Sequence, residues 1–222
     1  VSNLVTAHEI TNRRGYTLFS WVEYLCTYNI IDSSLREELH LVAQQYNRSL
    51  ITHDQYAYIV CTKYASALKG MNIQIIYNAI PNYLIFDRNY LFAEIGTVFD
   101  LLYTKEIDII VISGAPSIIL EKYKEEFHIK NIFAFKEQTC DGIFTGDVKY
   151  NYGFSKERKT IEIFEKYNEY PYLAFGDSES DKPMLNSAQN AFYINSALRN
   201  DKYININAEK ISSEIIKKIR QL

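Results

Sequence analysis

Cysteine is scarce in this 222-residue chain: only Cys26, Cys61 and Cys140. They form no Cys-x-x-Cys pair and no Cys/His pairing, which argues against structural zinc and fits a reducing compartment. Long apolar runs are also missing. None approaches the roughly 18 residues that a membrane span needs, and no signal-peptide pattern stands at the start, so a cytoplasmic protein with no membrane partner is expected. Nor does charge of one sign dominate. Lys and Arg total 24 against 27 Asp and Glu, a net charge of −3 with a pI near 5.9. No global field would therefore recruit nucleic acid, and any anion must be held by a local site. The few glycines and prolines gather into no linker, and there is no internal repeat or low-complexity segment. The chain opens on Val1 rather than Met, which leaves room for a few residues ahead of it.

What remains is an ordinary globular balance, 47% hydrophobic and 23% charged, which argues against disorder. The length suits one substantial domain, or a core with a small insertion. Nineteen tyrosines are many, and composition bias accounts for them better than function does.

Short apolar stretches alternate with amphipathic ones, the signature of an α/β fold with a parallel sheet. Residues 107–112 (IDIIVI) read as a strand buried on both faces. It ends in Ser113-Gly114-Ala115-Pro116, where Pro116 suits the first turn of a helix carrying Leu120, Tyr123 and Phe127. A strand over 131–135 follows, then a hairpin over 139–148 with Asp141-Gly142 as its turn. Residues 155–167 read as a helix and 172–175 as a buried strand, then Pro183 opens a helix and 191–194 form another strand. The first third differs. After a short apolar stretch at 4–6, residues 17–83 show only helical periodicity, with Leu18, Trp21, Val22 and Leu25 on one face and Leu35, Leu39 and Val42 on another. This block reads as an insertion over the carboxyl ends of the strands, where open α/β sheets bind ligands.

Three segments have residue types that suit phosphate or metal chemistry. In LAFGDSESDKPML (173–185) a buried strand delivers two carboxylates four positions apart, Asp177 and Asp181. Paired acids suit a hard cation such as Mg2+; an Asp-rich turn capping the next helix would look the same. In VISGAP (111–116) the Ser113 hydroxyl, the pliant Gly114 and a helix N-terminus can cradle a phosphate, although many strand-to-helix turns read this way. In SKERK (155–159) either Lys156 or Lys159 can neutralise a phosphate, although a lysine at a helix start is unremarkable by itself.

Taken together and in this order, the three segments resemble the motifs of the haloacid dehalogenase (HAD) phosphatases, in their phosphoserine-phosphatase-like branch. GDSESDKPML is similar to the metal-binding motif, SGAP to the Ser/Thr phosphate motif, and DGIFTGDV to a hairpin found between them. The similarity runs from about residue 69 to 195, and more loosely to the start. It implies a Rossmann-like parallel sheet core (1–16 and 84–222) with an inserted helical cap (17–83). It also implies Mg2+ at Asp177, with Asp181 as a second acid at the metal that orients the ligand or its water. Phosphate would be held by Ser113, Gly114 and Lys156, with Lys159 as the substitute, and the ligand would be a small phosphorylated metabolite.

The family's opening DxDGT motif is not matched. Its place is taken by Ala7-His8-Glu9-Ile10-Thr11, a register supported by the following GYTLF (15–19), which fits the lead-in to the cap. The aspartate that would attack phosphorus reads Ala7, and the general acid and base reads Glu9. A methyl group forms no aspartyl-phosphate, so the covalent route is closed. Deleting a nucleophile costs on the order of 10^6 in turnover in other covalent enzymes. The expectation is a phosphatase-like protein with hydrolysis impaired or abolished. The alternative is a non-catalytic pseudophosphatase that acts as a ligand- or partner-binding regulatory module. Glu9 attacking in place of the missing aspartate, and an alanine introduced to trap substrate, are further readings. Arg13 and Arg14 could face an anionic substrate, but solvent-exposed arginines are the plainer reading.

Overall fold

A computed structural model describes residues 4–7, 16–91, 95–168, 170–194, 201–206 and 211–220. Its sheet has the strands β1 (Leu4–Ala7), β2 (Asp108–Pro116), β3 (Ile129–Cys140), β4 (Ile143–Tyr150), β5 (Leu173–Gly176), β6 (Asn190–Ile194) and β7 (Ile204–Ile206). Their order is β4-β3-β2-β1-β5-β6-β7, and every neighbouring pair is parallel except the β3–β4 hairpin. The expected α/β parallel-sheet class is what the chain adopts. From β1 the chain builds outward through β2 to β4, then returns to the other side of β1 with β5. The order therefore reverses at β1 and β5, and such reversals open a crevice beyond the carboxyl ends of the strands.

The helices are α1 (Thr17–Thr27), α2 (Ser34–Asn47), α3 (His53–Ala67), α4 (Ile73–Asp87), α5 (Ile95–Thr104), α6 (Ser117–Leu120), α7 (Lys156–Tyr167), α8 (Lys182–Ser187) and α9 (Ile211–Ile219). Strand β2 shows why the sequence reads as continuous apolar. Successive side chains point to opposite faces. Ile109 and Val111 join one core with Phe99, Leu102, Ile215 and Ile219, while Ile110 and Ile112 join another with Ile163, Phe164, Met184 and Leu185. Both faces are covered, so neither tolerates a polar residue.

Several boundaries differ from the sequence reading. β2 runs on through Ser113-Gly114-Ala115 to Pro116, with its pairing to β3 shifting between Ile112 and Pro116. Pro116 caps rather than enters a helix, and that helix, α6, is a single turn of four residues. The Leu120–Tyr123–Phe127 spacing fills the core, but across a broken turn rather than one long helix. The hairpin is longer than expected, yet its turn is as read. Asp141 (φ 50°) and Gly142 (φ 76°) both take the left-handed backbone that a two-residue hairpin requires. β7 and α9 carry no expectation from the sequence: IleAsnIle is short and interrupted by a polar residue, and among the described residues α9 buries Ile215 and Ile219, with Ile216 packed against the core.

Helices α1–α4 pack on one another through Trp21, Leu25, Leu39, Tyr64 and Ile80, all buried. Their last helix ends at Asp87, so residue 83 falls inside α4 rather than at an element boundary. Asp87 is buried and accepts from the hydroxyls of Tyr83 (3.0 Å) and Tyr123 (2.8 Å), tying α4 to the segment after α6. A second tie runs through Trp21 Nε1, which donates to Tyr64 Oη at 2.8 Å, with the Tyr64 hydroxyl close enough to Glu137 on β3 to influence its carboxyl. Burial pushes the Glu137 carboxyl up to about 7, and the Tyr64 hydroxyl opposes that rise. The hairpin closes the assembly: Gly70 N donates to Phe144 O (2.9 Å) and Ile73 N to Gly142 O (2.8 Å).

Candidate active site

Ala7, the last residue of β1, pairs with Val111 of β2 on one side and Phe175 of β5 on the other. Ser113, three residues before the end of β2, and Asp177, the residue after β5, each lie two positions beyond those partners. Two strand spacings separate β2 from β5, about 10 Å, so residue 7 stands between the two motifs. His8, Glu9, Ile10, Arg13 and Arg14 lie outside the described residues.

The loop after β5 is organised by Asp181, which is fully buried. Its Oδ2 accepts from Asp177 N (3.1 Å), Ser178 N (3.0 Å) and Ser178 Oγ (2.8 Å), and its Oδ1 takes the ammonium of Lys156. Gly176 makes this possible. A side chain there would bring its Cβ within 2.6 Å of the Asp181 Cβ. Asp177, by contrast, has an exposed side chain, so the loop withdraws one acid and presents the other.

Lys156, the first residue of α7, is only 4% exposed and meets Asp181 in an ion pair out of water. Lys159 is used differently. It donates to the Asn151 carbonyl and lies over the rings of Tyr152 (5.5 Å) and Phe154 (5.6 Å), and burial holds its ammonium below the usual lysine range. Of the two lysines, Lys156 reaches the wall of the cavity described below.

Ser113 is fully buried, and its Oγ accepts the Ala115 amide at 2.9 Å, in the stretch of β2 where the pairing to β3 shifts. It is Gly114 that reaches the cavity wall. The helix expected after this turn is only α6, so aligned helical dipoles add little here. Gly114 instead packs against Gly153, where a side chain would put its Cβ 2.9 Å from the Gly114 Cα. Asn151 Oδ1 holds that approach by accepting the amides of Gly153 (3.0 Å) and Phe154 (3.2 Å). The sequence reading did not single out Asn151 or Gly153, although Asn-Tyr-Gly is a turn signal.

A cavity of about 70 Å3 lies between α1–α3 and these strand ends. Gly114, Gly153, Lys156, Ser178 and Ser180 form its floor. Phe19, Tyr46, His53, Tyr56 and Val60 form much of the rest. It adjoins an outer cleft of about 790 Å3 lined by Asp54, Glu157 and Arg158 and sharing Lys156, His53 and Ser180 with the cavity. Asp177 lines neither space.

Comparison with solved structures decides the fold. A structure titled as a phospho-aspartyl intermediate analogue of phosphoserine phosphatase aligns with a TM-score of 0.69 over 98% of each chain, at 18% identity. The chain has the HAD phosphoserine-phosphatase fold. A phosphoserine phosphohydrolase-like protein from Francisella tularensis subsp. tularensis SCHU S4 shares the HAD fold at a TM-score of 0.68, over 99% of each chain and 17% identity. A protein of unknown function from Bordetella pertussis Tohama I aligns at 0.76 over 94% of this chain and all of its own, with 14% identity. No protein-family profile matches the sequence, and no curated protein does.

Within the HAD fold, a metal site can be tested against the donors present. Among the described residues no three His, Cys, Asp or Glu side chains group to share an ion. Asp181 is committed to Lys156 and three loop donors, and an alanine at position 7 has no side-chain oxygen. Asp177 is thus the acid that this loop presents, and Mg2+ is commonly held through one or two carboxylates. Among the described residues, no helix is long and apolar enough to cross a membrane.

Proposed function

We propose that this HAD-fold protein binds a small phosphorylated metabolite together with Mg2+, and that its hydrolysis through an aspartyl-phosphate is abolished or severely impaired. The observation that carries this reading is the register of β1. Ala7 occupies the strand end between the Ser113-Gly114 turn and the Asp177 loop, where the fold would place an attacking carboxylate. Phosphate would sit against the Gly114 backbone and the Lys156 ammonium, with Ser113 holding the strand end through the Ala115 amide. Lys156, anchored by Asp181, supplies fixed positive charge in a site largely removed from water, where such charge acts strongly. Asp177 would take the Mg2+, which when bound neutralises phosphate charge. Without a carboxylate at position 7, no phosphoryl group can be transferred to that residue, and the chain's own residues are left to bind and orient. This absence favours a pseudophosphatase, a binding or regulatory module, over an enzyme with turnover.

The test pairs the parent protein with Ala7→Asp on a panel of phosphate monoesters with Mg2+. Hydrolysis gained only by Ala7→Asp, with phosphate binding in both, is the expected result. Comparable hydrolysis by the parent overturns the closed covalent route. Absence of inorganic phosphate binding in both proteins overturns the phosphate site itself.

A further inference from the structure

The cavity above the strand ends has two chemically different halves. Its floor is polar, with Lys156, Ser178, Ser180 and the glycine backbones. Its cap side is built from rings. Tyr46 and Tyr56 stack at 4.8 Å with planes 20° apart, Phe19 lies 6.4 Å from Tyr56 at 15°, and His53 meets Tyr46 edge-on at 5.9 Å. Val60 and Cys61, both buried, extend the apolar wall. Among the described residues no carboxylate lines this cavity. Asp181 lies behind the floor, paired with Lys156 and accepting from Ser178 Oγ, while Asp54 and Glu157 line the outer cleft, where Asp54 Oδ1 accepts the Ser155 amide at 3.1 Å.

These facts bear on the ligand's organic part. An ammonium group drawn against the ring side of the cavity would lose its water and, among the described residues there, meet no carboxylate, which is costly. A flat uncharged ring would bury apolar area against this ring-lined wall. Resting on the phosphate-site reading above, we infer that the ligand is a phosphate monoester of a flat, uncharged aromatic group, with phosphate at Lys156 and ring among Phe19, Tyr46 and Tyr56. The helical cap would thereby select against amino-acid phosphates.

Calorimetric titration of the whole protein, with Mg2+ present, tests this with inorganic phosphate, phenyl phosphate, phosphoserine and phosphocholine. Phenyl phosphate is expected to bind about tenfold more tightly than inorganic phosphate, the scale of one good ring contact, and phosphoserine no more tightly than inorganic phosphate. In Tyr56→Ala, and separately in Phe19→Ala, the ratio of phenyl phosphate to inorganic phosphate affinity should fall toward one. Equal affinity of the parent for phenyl phosphate and inorganic phosphate overturns the ring site while leaving the phosphate site standing. Tighter binding of phosphoserine overturns it in favour of a charged ligand, and tighter binding of phosphocholine in favour of a cation held by the rings. If inorganic phosphate and all three esters fail to bind, the phosphate-site reading falls and this inference falls with it.

Discussion

Lys156 and Asp181 form an ion pair in which neither partner meets solvent to any extent, their side chains being 4% and 0% exposed. The pair joins the start of α7 to the loop after β5, 25 residues apart in the chain. Such pairs add little over an apolar substitute, but removing one partner strands the other charge in a poorly solvated place. Lys156→Met should therefore destabilise the protein by about 3–5 kcal/mol. Asp181→Ala should cost more, because the amides of Asp177 and Ser178 and the Ser178 hydroxyl lose their acceptor as well. Urea unfolding of the two variants measures both, and equal losses would show that the loop donors contribute nothing.

The tight approach of Gly176 to Asp181 gives a steric prediction. Gly176→Ala would place a methyl 2.6 Å from the Asp181 Cβ. Forcing that contact should cost about 1–3 kcal/mol, as overpacking does, and displace the loop bearing Asp177. Unfolding midpoints and Mg2+-dependent phosphate affinity should both fall; a variant with parental values in both would refute the close packing.

Asp177 is the exposed acid of the pair, so metal and phosphate should help each other bind. Mg2+ is expected to raise inorganic phosphate affinity by about tenfold, within the range of coupled ligands, and Asp177→Asn should abolish that increase while the fold persists. Calorimetry with and without Mg2+ or a chelator reads the effect. Full Mg2+ enhancement in Asp177→Asn would place the ion elsewhere.

Glu137 carries a pH prediction. Burial raises its carboxyl from 4.5 to about 7 in the folded protein, so the native state keeps this proton where the unfolded chain has lost it. The associated stability is complete below about pH 4.5 and is lost as pH rises through about 7. Glu137→Gln cannot titrate. Its stability relative to the parent should improve between pH 5 and pH 8, by on the order of a few kcal/mol at most. A difference between the two proteins that does not change with pH would show that Glu137 is ionised throughout.

Local chemistry alone settled a good deal. The apolar run at Ile109, Ile110, Val111 and Ile112 demands burial on both faces, which only a sheet covered on both sides provides. Asp141-Gly142 accepts the left-handed backbone of a hairpin turn. Gly176-Asp177 with Asp181 in a short loop brings two acids together whatever surrounds them, and an alanine at position 7 rules out a carboxylate there in any fold. Each of these features spans only a few residues, so its physics is readable from the chain. Tertiary structure decided the rest. That Asp181 is spent on Lys156, that Lys159 turns to the Asn151 carbonyl, and that Gly114 meets Gly153 all depend on segments distant in sequence. The rings of Phe19, Tyr46 and Tyr56 converge on one cavity wall for the same reason. Helical periodicity marks which residues turn inward, but which helix faces meet over a strand end is set by packing of the whole chain.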